Sequence, residues 1–253
     1  MNRIAAVTGA ARGIGRGIAE RLAKDGCRVA VLDIDAKSAG EAAAEIDGDA
    51  FGVPCDVTDA ESVRLADQTI RERWGAVNAL VSCAGISQIA ALEDTSDELW
   101  NRILSVNLTG AFHVCRQFLP AMREANWGRV VMISSESGKR GASRYSAYCS
   151  SKFGLIGLTQ ALAMEFAGAG VTVNAVCPGI VFTELWDDDH LAGYGAKRDI
   201  PADKVKDYLV GRIPLGRSCT PEDVAAAVAF LASDDAAYLT GQALNLTGGT
   251  VMQ

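Results

Sequence analysis

The chain has 253 residues, of which 49% are hydrophobic and 22% charged, a size and balance suited to one globular core. Its formal net charge is −7 and no Lys/Arg cluster exceeds a dipeptide, which excludes nucleic acid and acidic membrane surfaces as expected partners. No apolar stretch approaches the ~20 residues of a membrane span, and the amino terminus runs into a strand without a signal-like segment, so a cytoplasmic location is expected.

Ile4-Ala5-Ala6-Val7 is a short apolar run suited to a buried parallel strand. It leads into Thr8-Gly9-Ala10-Ala11-Arg12-Gly13-Ile14-Gly15 and a helical pattern that continues through Lys24, with Gly26 as a left-handed cap. Strand, glycine turn and helix form the context of a phosphate-binding loop, where glycines admit a pyrophosphate and the helix start offers free N–H groups. A second strand, Arg28–Leu32, ends at Asp33, where a carboxylate can accept hydrogen bonds from both hydroxyls of an adenosine ribose. A 2′-phosphate would meet like charge there, and Ile34 supplies no compensating base, which favours NAD over NADP. Arg12 points the other way, since a basic residue in the loop could pair with that phosphate.

Further strand-like runs, Phe51–Cys55, Ala79–Ser82, Arg129–Ser134, Val171–Cys177 and Ala243–Leu246, alternate with amphipathic helices. The alternation predicts an α/β fold, a doubly wound, mainly parallel seven-stranded sheet with helices on both faces. No repeat, low-complexity tract or linker interrupts it, so residues 1–253 read as one domain. Asp33, Ala84, Ser135 and Pro178 all fall just past strand ends, where ligand chemistry collects in such sheets.

Tyr148 and Lys152 stand four residues apart on a predicted helix, and so share a face. A free phenol titrates near ~10, and a neighbouring ammonium, helped by the positive ring of an oxidised nicotinamide, favours the phenolate, so Tyr148 is expected to have its pKa drawn down toward the working range and to take a proton from an alcohol. Seven scattered cysteines without C-x-x-C spacing read as small buried hydrophobes. Cys149 is not a nucleophile on this reading, because no motif places His113 or His190 beside it. With two histidines and no clustered ligand set, no metal is expected.

Together Thr8-Gly9-x-x-x-Gly13-x-Gly15, Asp56-Val57, Ala84-Gly85, Asn107, Ser135, Tyr148-x-x-x-Lys152 and Pro178-Gly179-x-x-x-Thr183 resemble, from end to end, the short-chain dehydrogenase/reductase family. The resemblance implies a Rossmann fold and a catalytic set of Asn107, Ser135, Tyr148 and Lys152. Ser135 would polarise the substrate oxygen, Tyr148 would be the acid or base, Lys152 would lower its pKa and bind the nicotinamide ribose, and Asn107 would kink its helix and hold a water. It implies dinucleotide contacts from Gly9, Arg12, Gly13, Ile14 and Gly15, from Asp33, Ile34, Asp56 and Val57, from Ser82, Ala84 and Gly85, and from Pro178, Gly179, Val181 and Thr183. Where the family usually has Asn-Asn-Ala-Gly this chain has Ser82-Cys83-Ala84-Gly85, and weaker bracing of the cofactor loop is expected.

Residues 183 to 212 are richer in charge and aromatics than their surroundings and suit a mobile substrate lid, with Leu185 and Trp186 as pocket walls. Glu136 follows the catalytic-type serine, and its carboxylate could accept from extra hydroxyls or pair with an amine. The carboxyl-terminal half resembles polyol and diol dehydrogenases of the family. The expected function is NAD-dependent interconversion of a secondary alcohol and a ketone on a small polyol, sugar alcohol, diol or amino alcohol. One alternative is an NADPH-dependent reductase of a 3-ketoacyl thioester or another carbonyl. The other is a dinucleotide-binding regulator without catalysis. The resemblance also implies a homotetramer.

Overall fold

The computed structural model describes residues 3–184, 186–196 and 198–253, Asp189 by its backbone alone. Seven strands, β1 (Ile4–Thr8), β2 (Arg28–Asp33), β3 (Ala50–Pro54), β4 (Ala79–Ser82), β5 (Gly128–Ile133), β6 (Val171–Pro178) and β7 (Ala243–Leu246), form one parallel sheet in the order β3-β2-β1-β4-β5-β6-β7. Every residue of β1, β4, β5 and β6 is buried, as expected of strands covered on both faces. The strand runs read from the sequence fall within one residue of these bounds, because a continuous apolar run bounded by polar turns is a strong local signal.

One face carries α1 (Gly13–Lys24), α2 (Ala36–Glu45) and α9 (Pro221–Leu231) over an apolar layer that includes Ile18, Leu22, Val29, Val31 and Val224. The other carries α3 (Ala60–Trp74), α4 (Asp97–Leu104), α5 (Gly110–Glu124) and α6 (Ser146–Phe166), packed around Phe118, Ile70, Leu80 and Met132. A π-helical segment, Ser105–Thr109, joins α4 to α5 and puts an extra residue into one long helix. Strand order reverses between β1 and β4, which opens a crevice at the carboxyl ends of these strands.

The segment after β6 is more organised than a loop. It holds α7 (Asp188–Ala196) and α8 (Val205–Val210) around a small core of Leu191, Val205 and Leu209, with Phe182, Trp186 and Tyr194 packed against it. Aromatic and aliphatic residues in a mainly polar segment supply this core, which charge content alone had obscured.

The packing of α2 on β3 gives two adjacent glycines opposite responses. A Cβ on Gly52 would stand 2.5 Å from the Gly40 amide nitrogen, whereas a Cβ on Gly40 meets nothing within 4 Å. In chemical denaturation Gly52→Ala is expected to lose about 1–3 kcal/mol by overpacking. Gly40→Ala, exposed within α2, is expected to gain about 0.5–1 kcal/mol.

Candidate active site

The glycine loop links β1 to α1. Gly9 and Gly13 have φ of 63° and 55°, values that side chains disfavour. A Cβ on Gly15 would lie 2.2 Å from the Gly9 carbonyl oxygen, and one on Gly9 would lie 2.8 Å from the Ala84 Cα, so the loop is pressed between the helix start and the turn after β4. The first turn of α1 has no side-chain cap and no acidic residue, which leaves its amides for an anion. Asp33, at the tip of β2, accepts from the Ala11 amide at 3.2 Å and from the Asp35 amide at 3.3 Å. Ile34 is 71% exposed beside it, and Arg12 is exposed at the loop's outer edge. Asp56 accepts from the amide and hydroxyl of Thr58, at 2.9 and 2.7 Å, and Val57 is buried against α5. Gly13 also meets Thr183 and the Glu184 carboxylate, which brings the segment after Pro178 to the loop. Gly179 donates to Leu246 at 3.0 Å, and buried Val181 pairs with Cys219.

The turn at Ser82-Cys83 is held through its backbone. The Thr8 hydroxyl accepts from the backbone amides of both Cys83 and Ala84, at 3.0 and 3.1 Å. These donors are indifferent to the side chain at position 83, and burial pushes the Cys83 thiol up to about 12, so it stays neutral. The uncapped helix start, the left-handed glycines and the strand-end carboxylate fit a dinucleotide laid across the crevice.

The four residues of the implied catalytic set converge from three elements. Asn107 is 1% exposed within the π-helical segment; it accepts from the Ile86 amide at 2.8 Å and donates to the Ile86 carbonyl and the Ser151 hydroxyl, both at 3.0 Å. Ser151 in turn donates to the Tyr148 carbonyl at 2.7 Å. Lys152, on α6, donates to the Ile133 carbonyl at 2.9 Å, and its Nζ lies 5.7 Å from the centroid of the Tyr148 ring. The Ser134 hydroxyl donates to the Lys152 carbonyl at 2.9 Å, and a Cβ on Gly138 would come within 2.7 Å of that same carbonyl. These contacts lock the turn carrying Ser135 against α6. A Cβ on Gly85 would meet Asn107 Oδ1 and Lys152 Nζ, each at 3.4 Å, so glycine alone leaves the floor between them open.

The expected fall of the phenol pKa is not what the chain's own groups produce. Burial pushes Tyr148 up to about 12, against the lowering effect of a hydrogen bond from Ser135, and burial pushes Lys152 down to about 8. Spacing on a helix tells which groups meet but not how much solvent they lose, and here desolvation of both exceeds their mutual attraction. Cys149 is buried, with its sulfur 3.4 Å from the Ala142 amide. His113 Nδ1 lies 3.1 Å from the Val57 carbonyl.

On the substrate side, Glu136 Oε2 accepts from Arg140 at 3.0 Å and from Thr250 at 3.1 Å, so the tail reaches back onto its own chain. Trp186 packs inside the lid core, 5.5 Å from Phe182, 4.9 Å from His190 and 5.9 Å from Tyr194 by ring centroids. Leu185 lies outside the described residues. No motif places His190 near the site; in the structure its Nε2 is 2.8 Å from the Tyr145 hydroxyl, and the Tyr145 ring is 5.9 Å from that of Tyr148. Burial lowers the His190 pKa. Tyr145, which caps α6 three residues before Tyr148, has a local spacing that could have pointed to it, but His190, 45 residues away, has none.

A family model described as enoyl-(acyl carrier protein) reductase matches residues 9–251. D-threitol dehydrogenase of Mycolicibacterium smegmatis is 39% identical, with 98% of this chain and 92% of that protein covered. Sorbitol-6-phosphate 2-dehydrogenase of Escherichia coli is 38% identical over the full length of both. A crystal structure of an actinorhodin polyketide ketoreductase variant with NADPH superposes with a TM-score of 0.93 at 38% identity, covering 98% of this chain and 97% of that one.

Replacing Asn107 by alanine strips partners from both polar groups of the Ile86 backbone. Asn107→Ala is expected to lower the unfolding free energy by about 2–4 kcal/mol in denaturant titration. A loss below about 0.5 kcal/mol would show that water restores those bonds.

Proposed function

The chain belongs to the short-chain dehydrogenase/reductase family and is an oxidoreductase of CH–OH groups with a nicotinamide dinucleotide cofactor; from that premise we propose that it takes NAD and oxidises a secondary alcohol of a small polyol, sugar alcohol, diol or amino alcohol. The observation that carries the cofactor reading is the Asp33 carboxylate, held at the tip of β2 by the Ala11 amide, where it would repel a 2′-phosphate. Similarity to D-threitol and sorbitol-6-phosphate dehydrogenases supports the substrate class. Exposed Arg12 in the glycine loop and the likeness to a ketoreductase solved with NADPH favour the second reading, NADPH-dependent reduction of a ketoacyl thioester or another carbonyl. The nearly complete burial of Asn107 and Lys152 beside Tyr148 speaks against a regulator without catalysis.

A bound nicotinamide would supply the hydride acceptor. Ser135 would hold the substrate oxygen, and Tyr148, as the phenolate that the positive ring of a bound nicotinamide would favour, would take the hydroxyl proton. Lys152 would hold the nicotinamide ribose and pass the proton toward solvent, with Asn107 fixing the backbone on which that path runs. Glu136, whose Oε1 has no hydrogen-bond partner among the described residues, is the candidate for further substrate hydroxyls. Trp186 acts through the lid core. The exposed apolar side chains Phe112, Phe153 and Met164 on α5 and α6 support assembly into a homotetramer, and the acidic surface suits the cytoplasm.

Reduced-nicotinamide absorbance with NAD and NADP against a panel of polyols, diols and amino alcohols tests the reading. Tyr148→Phe is expected to lose at least about 10³-fold in turnover. Asp33→Ala is expected to shift the NAD/NADP ratio toward NADP by at least about tenfold. Oxidation requires the Tyr148–Lys152 pair to have given up one proton, and its easier step is set by the lysine at about 8. Oxidative kcat/KM therefore rises with pH through that value, and reduction falls through it. Silence with NAD, together with NADPH oxidation on a ketoacyl thioester, would establish the second reading. Light scattering is expected to give four times the 26.5 kDa chain mass.

A further inference from the structure

At the far end of α7 the chain turns sharply. Arg198 and Ile200 both donate to the Gly195 carbonyl, at 2.8 and 3.1 Å, and between them Asp199 has a φ of 54°. A Cβ on Gly195 would lie 2.3 Å from the Ile200 carbonyl oxygen, so glycine is required for this turn to close. The turn lays the Arg198 guanidinium over the Tyr194 ring, 4.0 Å from its centroid. There its Nη1 is buried and has no hydrogen-bond partner. Among the described residues Arg198 enters no ion pair, unlike Arg217, which is clamped to Asp223. A buried guanidinium nitrogen left without an acceptor is costly, and such groups mark places where a partner arrives with a ligand.

The position is on the substrate side. The Tyr194 ring lies 5.9 Å from that of Trp186, Trp186 lies 4.9 Å from His190, and the Tyr145 ring, bonded to His190, lies 5.9 Å from that of Tyr148, so a chain of rings runs from beneath Arg198 to the catalytic tyrosine. On the Tyr148 side Glu136 is paired with Arg140 at 3.0 Å. His190 and Tyr145 satisfy each other. Among the described residues of the lid, Arg198 Nη1 is the buried side-chain nitrogen left without a hydrogen-bond partner. We propose that Arg198 is a substrate-binding residue that takes a terminal oxyanion, phosphate or carboxylate, on the polyol whose distal hydroxyl is oxidised at Tyr148. This rests on the polyol reading above and narrows it to anionic polyols, away from amino alcohols.

The test compares sorbitol, sorbitol 6-phosphate and gluconate with NAD, for the natural chain, Arg198→Lys and Arg198→Met. Binding is followed independently by tryptophan fluorescence, since Trp186 is 5.9 Å from Tyr194. A charge-assisted guanidinium contact is expected to give one anionic substrate at least about a tenfold advantage in kcat/KM over sorbitol. Arg198→Met should collapse that ratio toward one through KM, while Arg198→Lys retains part of it. The arm that shows the effect tells phosphate from carboxylate. Turnover of all three with no Arg198-dependent preference overturns the inference and leaves the polyol reading standing. Arg198-dependent binding of an anion without turnover of any polyol supports the site and overturns that reading.

Discussion

Lys152, a residue 4% exposed, carries an ammonium from α6 to the end of β5, where a charge is expensive to bury, and much of the surrounding backbone is organised around it. Lys152 has one carbonyl acceptor at Ile133, while Ser134 and Gly138 hold its own carbonyl from the other side. A Cβ on Gly85 would touch both Nζ and Asn107 Oδ1, each at 3.4 Å, so the glycine leaves the space between them unfilled. The result is a charge kept close to neutrality by desolvation, beside a phenol kept protonated by the same cause. With the ammonium at about 8 and the phenol at about 12, the lysine gives up the first proton of the pair, and the positive ring of a bound nicotinamide would be needed to draw the phenol down for an alcohol–ketone interconversion.

The same economy of charge runs along the crevice. Asp33 puts a fixed negative charge at the adenosine end, tied to the loop through the Ala11 amide. The uncapped start of α1 offers a positive dipole end next to it. At the opposite end Glu136 pairs with Arg140, and the buried Arg198 Nη1 has no hydrogen-bond partner among the described residues. Asp33 and Glu136 each stand at the carboxyl end of a strand, and Arg198 is on the lid that follows β6.

Much of this was readable from the chain. Strand positions follow from unbroken apolar runs such as Val171–Cys177, and the glycine loop follows from backbone conformations that few other residues adopt. What escaped reading depends on burial or on distance along the chain. The pKa of Tyr148 was expected to fall because helix spacing supplies a neighbouring charge, but spacing carries no information about desolvation. The backbone bracing of Cys83 was not readable because its acceptor, Thr8, lies 75 residues earlier. The Glu136–Arg140 pair was available as an i,i+4 spacing, whereas the Thr250 hydroxyl on the same oxygen comes from 114 residues away. The lid core joins Phe182 and Trp186, which precede α7, and Leu191 and Tyr194 on α7 to Val205 and Leu209 on α8, and no local pattern announces such a pairing.

The central claim is that burial, more than attraction within the pair, sets the protonation of Lys152 and Tyr148. Titration of lysine side chains by NMR, comparing the natural chain with Lys152→Met, tests it most directly. The account expects one resonance with a midpoint near about 8 that is missing from the variant. A Lys152 midpoint at the ordinary lysine value of about 10.4 would contradict it.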